Sequence, residues 1–203
     1  MGASSGTGST LWGKELPERS EYMAKWKIDP DHSAAEFIVH HMMVTPVHGQ
    51  CNKVSGVIVF DPADLAHASA EIEVDVAGIY TGIDRRDTHL RSPDFFDVQQ
   101  FPTMNFKSTR FEVVSLNHCK VTGDLTIRGV SRSVTFDVDF NGPSKFFDDE
   151  LNQMYMSYGF RATATINRED FGLLWSVTIE EGGFMVGKHV DIIFNAEADL
   201  AEE

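Results

Sequence analysis

The feature that most constrains this chain is an alternation of apolar and polar residues with period two, recurring from Trp26 almost to the C-terminus. Successive side chains of a strand point to opposite faces, so this alternation marks strands that bury one face. AAEFIVHHMMV places Phe37, Val39, His41 and Met43 together, and ASAEIEVDVAGI sets Ala68, Ala70, Ile72, Val74 and Val76 against Glu71, Glu73 and Asp75. The pattern returns in Leu125/Ile127, Val134/Phe136/Val138/Phe140, Phe160/Ala162/Ala164/Ile166 and Val190/Ile192/Phe194/Ala196. Roughly eight such segments with turn residues between them predict an all-β antiparallel fold, either a sandwich or a barrel closed on itself. The paired alanines leave room on an inner wall, or else face a packed helix. An eight-stranded barrel can fill with side chains or hold one small ligand.

Composition narrows the function classes. With 42% hydrophobic residues the chain has material for a full core, and 15 phenylalanines suit an interior that is apolar throughout. The formal charge of −14, from 17 basic and 31 acidic side chains, repels phosphate backbones and anionic lipid headgroups. The expectation is therefore no nucleic-acid partner and no stable membrane insertion. No apolar run reaches the ~18 residues of a membrane helix. Two cysteines, Cys51 and Cys119, lack CxxC or zinc spacing and are expected as free thiols. No basic stretch followed by an apolar one opens the chain, so a cytoplasmic protein is expected, or a periplasmic one if a leader has been removed. Residues 1–22 are Gly/Ser/Thr-rich and aperiodic, the composition of a flexible tail, and residues 23–203 form the folded domain. Gly2-Ala3-Ser4-Ser5-Gly6 matches GxSxG by letter only, because no strand precedes it and no helix follows.

One stretch, GIDRRDTHLRSPDFFDVQQFP, breaks the alternation. Asp84 is placed to cap a short helix with Asp87 in its first turn, and Ser92 to cap a second with Pro93 at its first position. Leu90, Phe95 and Phe96 give this segment an apolar side able to close one barrel mouth. FDPADL reads as another capped turn. INREDFGLLW reads as a turn closed by Asn167 and Asp170 with a permissive Gly172, and Gly182-Gly183 as a turn too short to cradle phosphate.

Candidate chemistry is sparse. His40 and His41 are adjacent and point to opposite faces, so they cannot chelate one ion together. His41 shares its face with apolar residues and is read as inward, serving as a core histidine, a ligand-headgroup anchor or an axial ligand to haem or metal. Arg86, Asp87 and His89 resemble a carboxylate-oriented histidine, but no nucleophile completes the set, and capping with salt bridging accounts for them. Without further information the apolar faces fit an ordinary packed core.

Seven segments in order, WKIDPDHSAAEFIVHHM, KVSGVIVFDPADL, TGIDRRDTHLRSPDFFD, FPTMNFKST, VTGDLTIRGVSRSVTF, GFRATATINREDFGLLW and GGFMVGKHVDIIFNAE, resemble the YceI-like proteins from about Trp26 to Glu197. The RDxHLxSxDFFD stretch is the most specific. The resemblance implies an antiparallel eight-stranded lipocalin-like barrel with short capping helices. It also implies a non-catalytic carrier of a polyisoprenoid or other long-chain amphiphile, in some members a homodimer. Cys51, Lys188, His40 and the 142–156 segment depart from the family pattern. On this basis the inner wall is expected to comprise Phe37, Val39, Ile72, Val74, Phe106, Leu125, Ile127, Phe136, Phe160, Ala162 and Phe194. Leu90, Phe95 and Phe96 would close one end, with His41 and Arg161 as headgroup contacts. Arg161 alternates against Phe160 and is the weaker of those two candidates. No cofactor, metal or catalytic residue is expected. The rival readings are a haem or metal binder through His41, a lipid-directed enzyme, and a structural or stress-linked interaction module whose barrel is filled.

Overall fold

The computed structural model describes residues 23–149, 152–177 and 184–201. The tail expected over 1–22 and the Gly182-Gly183 turn lie outside the described residues. Among the described residues nine strands form one antiparallel sheet: β1 (Lys25–His41), β2 (Thr45–Cys51), β3 (Val54–Val59), β4 (Ser69–Asp75), β5 (Thr103–Ser115), β6 (His118–Ile127), β7 (Val130–Asp148), β8 (Gln153–Asn167) and β9 (Val186–Leu200). From β3 to β9 each strand pairs with the next, and β9 returns to β1, which closes the sheet. β1 is long enough to serve two partners on its other edge. Lys25–Lys27 pair with β3 and Ala35–His41 pair with β2. β2 and β3 therefore share one position, and nine segments make an eight-stranded barrel.

β1 carries a bulge between Asp29 and Ala34 where it runs along β9, and a second register shift between Val39 and His41. Ser33 lies in the bulge, buried. Its Oγ accepts from the Glu197 N–H at 3.2 Å and donates to the Glu197 carbonyl at 3.4 Å, so the irregular seam keeps its polar groups satisfied.

The alternating faces turn inward as the sequence predicts, with two kinds of departure. β1 ends at His41, so Met43 is not on its inner face. His41 to Val44 form a tight turn, with the Val44 N–H donating to the His41 carbonyl at 3.0 Å and Met42 and Met43 at φ 51° and 60°. Such turns favour Gly or Asn, and their absence here hid the turn in the sequence. The second departure concerns residues 142–156, where β7 and β8 run on past the barrel wall as a two-stranded arm pairing Ser144–Asp148 with Gln153–Ser157. Phe146, Phe147 and Met154 are exposed on it.

Both ends of the barrel are closed by side chains. At the end where β1 begins, Phe60 meets Phe140, Tyr158 and Phe160 edge-to-face at 5.0, 5.2 and 5.4 Å, and Trp26 donates its indole N–H to the Phe60 carbonyl at 3.1 Å. Full burial of each such ring contributes about 1.5–3 kcal/mol. The opposite end is covered by the segment from Val76 to Pro102. It opens with a 3-10 turn over Val76–Gly78, and its α-helix, α1 (Asp84–Arg91), starts after Ile83 with no side-chain cap, which corrects the expectation that Asp84 is the cap. Asp87 is buried and accepts from Thr81 N at 2.9 Å and Thr81 Oγ1 at 2.5 Å, while Arg86 donates to Thr81 Oγ1 and the Thr81 carbonyl. The second helix expected from Ser92 is instead a set of hydrogen-bonded turns, with Phe95 N–H and Asp97 N–H donating to the Ser92 carbonyl. None of the helices is long and apolar enough to cross a membrane, among the described residues.

Candidate functional site: an apolar cavity

Inside the barrel lies a cavity of about 130 Å³, walled by β1 and β3 to β9. Its lining is apolar except for Asn105. A space without polar partners stays dry, and at this size it matches the room a benzene-sized group takes. Long aromatic side chains stand against short ones here. Ala35, Ala70 and Ala162 line the wall, and the space they concede faces Phe136, Phe160 and Phe194. Gly123 also points inward; a Cβ on it would lie 2.5 Å from Phe106 Cζ, so the Phe106 ring occupies the place of the missing side chain. Phe106 then meets Phe136 edge-on at 5.2 Å.

Of the expected wall residues, Ile72, Val74, Phe106, Leu125, Ile127, Phe136, Phe160, Ala162 and Phe194 line the cavity. Phe37 packs against the core from its rim, over Gly49, whose own Cβ would collide with the ring at 2.2 Å. Val39 is half-buried between Val47 and Val190 and does not reach the cavity. Phe60, Phe111, Val121, Val138, Phe140 and Ile192 also line it, outside the expected wall. Val138, Phe140 and Ile192 stand on the same alternating faces as Phe136 and Phe194 in the sequence. Phe60 follows β3 in a loop, where parity gives no signal.

The two polar anchors are corrected. His41 is exposed at the last position of β1, because the chain turns there and leaves the barrel wall. Arg161 is exposed on the outer face, opposite Asp139 and Asn195, as strand parity with buried Phe160 requires. Neither reaches the interior.

At the α1 end, Phe95, Phe171 and Leu173 are buried with Leu125, Ile127 and Ile166, and Leu90 and Phe96 pack against both this cluster and the main core. The residues expected at the mouth are thus brought together there. Leu173 and Phe171 are held by Arg168, which the sequence did not single out. It is 3% exposed, and its guanidinium donates to the carbonyls of Gly187 (2.8 Å), Val186 (3.1 Å) and Leu173. Burial pulls its pKa below the ordinary arginine value. Asn167 Oδ1 accepts from Glu169 N at 3.1 Å and Gly172 takes φ 76°, as expected of INREDFG, whereas Asp170 accepts from Asn167 Nδ2 at 3.5 Å rather than from a backbone N–H.

Groups of catalytic type stand apart. Asp87 binds Thr81, whereas His89 pairs through Nε2 with Asp94 at 2.8 Å and stacks edge-on with Phe95 and Trp175. Cys51 and Cys119 are free, buried thiols whose pKa values burial pushes to about 12 and about 11. No group of three or more His, Cys, Asp or Glu gathers in metal-binding geometry among the described residues.

Comparison with known proteins agrees with this architecture. The family model described as "YceI-like domain" matches residues 26–198. A UPF0312 protein of Staphylococcus aureus (strain bovine RF122 / ET3-1) is 37% identical over 182 residues, covering 89% of this chain and 100% of the relative. Among solved structures, Burkholderia cenocepacia BcnA superposes with a TM-score of 0.68 at 27% identity, over 84% of this chain and 98% of that one. The YCEI protein of Campylobacter jejuni gives 0.66 at 27% identity, over 80% and 90%. A polyisoprenoid binding domain from Saccharophagus degradans shares the fold, with a TM-score of 0.63 at 14% identity over 88% of this chain and 99% of that one.

Proposed function

The chain belongs to the YceI-like domain family, and from that premise we propose that it is a non-catalytic carrier holding a polyisoprenoid or other long-chain amphiphile in its barrel. The observation that carries the reading is the cavity inside the barrel, whose lining among the described residues is apolar but for Asn105. Such a space discriminates against water and charge and in favour of hydrocarbon, at about 0.8 kcal/mol for each CH₂ buried. The fold is shared with a protein described as a polyisoprenoid binding domain, which supports the same class of ligand.

Size sets a condition on this proposal. A cavity of about 130 Å³ takes roughly one five-carbon unit, so a long chain must displace side chains. The mouth cluster of Phe95, Phe171 and Leu173 is the element to move, because it is built on turns rather than on the sheet. The small volume also favours a second reading, an interaction module whose barrel is permanently filled.

Native mass spectrometry of the purified protein, followed by organic extraction, separates the two. A long-chain species near one per protomer is the expected result. A protein that arrives empty and refuses added prenyl and acyl lipids would establish the filled barrel instead.

A further inference from the structure

Outside the mouth cluster lies a second, open groove of about 740 Å³. Phe101, Phe171 and Trp175 form its aromatic wall. Trp175 is fixed from behind by His89, edge-on at 4.7 Å, and by Phe95 at 5.2 Å. The β6–β7 turn supplies Arg128, at φ 51° beside Gly129 at φ 73°, and Arg128 Nη1 donates to the Gly172 carbonyl at 3.3 Å.

Two side chains on this groove, Asp97 and Ser176, have no hydrogen-bond partner among the described residues, and a third, Arg128, has no counter-charge. Asp97 is 6% exposed, and among the described residues its carboxylate has neither a hydrogen bond nor an ion pair. Only its backbone is used, the carbonyl accepting from Gln100 N and Phe101 N at 2.9 Å each. Asp97 also sits at φ 49°, where a non-glycine residue is disfavoured. Arg128 faces the same groove and is in no ion pair among the described residues. Ser176 Oγ is buried on the same groove, the single buried side-chain oxygen or nitrogen without a partner among the described residues. Leaving the Ser176 hydroxyl unsatisfied costs stability that a purely structural surface would not carry, and the Asp97 carboxylate on the same groove has no counter-charge.

We propose that this groove binds a zwitterionic headgroup of the alkylammonium-phosphate class. The ammonium lies over Trp175 and pairs with Asp97, and the phosphate is taken by Arg128 and Ser176 Oγ. A simple anion would meet Asp97 and Asp94, and a simple cation would meet Arg128. A ligand carrying both charges satisfies each group with its opposite. The site deepens the carrier reading, on which it rests for the idea that an apolar tail belongs to the same ligand.

The test uses glycerophosphocholine, which has no tail, titrated into the full chain while the indole N–H resonance of Trp175 is followed (assigned by its loss in Trp175→Phe). A saturable shift is expected, weakened about tenfold by Asp97→Asn and likewise by Arg128→Gln, the effect of one charge-assisted contact each. Choline should lose affinity only in Asp97→Asn, and glycerol phosphate only in Arg128→Gln. If Arg128→Gln disturbs folding, as its circular dichroism melt would show, Ser176→Ala replaces it and should weaken glycerol phosphate but not choline. An unmoved Trp175, or Asp97→Asn binding glycerophosphocholine like the parent protein, overturns the proposal. Extracted cargo without a Trp175 response refutes the groove alone; a Trp175 response in an empty barrel refutes the carrier alone.

Discussion

Arg168 shows how one side chain can hold a loop that the sheet does not. Its guanidinium satisfies three backbone carbonyls across the 168–173 turn and the start of β9. Arg168→Met keeps the side chain's length and apolar stem but strands those carbonyls, so a loss of roughly 3 kcal/mol is expected. Urea denaturation measures it, and an unchanged midpoint would mean that water replaces the guanidinium. In the sequence Arg168 stands in the polar run Asn167-Arg168-Glu169-Asp170 and reads as solvated. Its burial depends on Gly187, 19 residues away, and no local pattern encodes that. The two thiols make a second prediction. With pKa values near 12 and 11, Cys51 and Cys119 should resist iodoacetamide at pH 8 in the native protein and react on unfolding. Above the unfolded value of 9.0 the unfolded chain gives up thiol protons that the native state keeps, so stability falls as pH rises from there. Labelling of either native thiol at pH 8 would show that the barrel opens around it.

At the level of elements, turns decided more than strands did. The β6–β7 turn places Arg128 on the groove because Gly129 accepts φ 73°, and a Cβ there would lie 2.9 Å from Phe101 Cε1. Gly129→Ala should therefore cost about 1–2 kcal/mol and lower Tm by about 2–4 °C per kcal/mol. A melt identical to the parent's would mean that the Phe101 ring yields freely. This glycine lies in a recognisable Arg-Gly turn between two alternating runs, so the element was legible. The Met42-Met43 turn was not, because left-handed methionines imitate a continuing strand. The arm over 142–156 was also opaque, since its strands are long enough to leave the barrel and no longer answer to a buried face.

The whole molecule is a ring, and its interior volume is a property of the ring. Ala162 lines the cavity from β8, with Phe194 of β9 beside it in register. Ala162→Trp should fill the cavity at an overpacking cost of about 1–3 kcal/mol, which a domain of this size can absorb. Cargo recovered by extraction should drop to near zero while the far-ultraviolet circular dichroism stays that of the parent. Full cargo in the variant would place the ligand elsewhere in the molecule. The alanines that conceded this space were visible as a pattern, but whether they faced a cavity or a helix was not. That choice was made when β9 closed on β1.

The amino-acid sequence by itself determined which side of each strand is apolar, because strand parity is a relation between neighbours two residues apart. It also determined that one aperiodic segment with Leu90, Phe95 and Phe96 would lie over the barrel's mouth, since its apolar side had to be buried against something. Tertiary structure decided closure and its register, with Ala35 opposite Phe194, and so the size of the cavity. It placed His41 in a turn and Arg161 in solvent, buried Arg168 and left Asp97 unpaired beside Trp175. Each of these outcomes depends on contacts between residues far apart in the chain, whose distances are set only when the last strand pairs with the first.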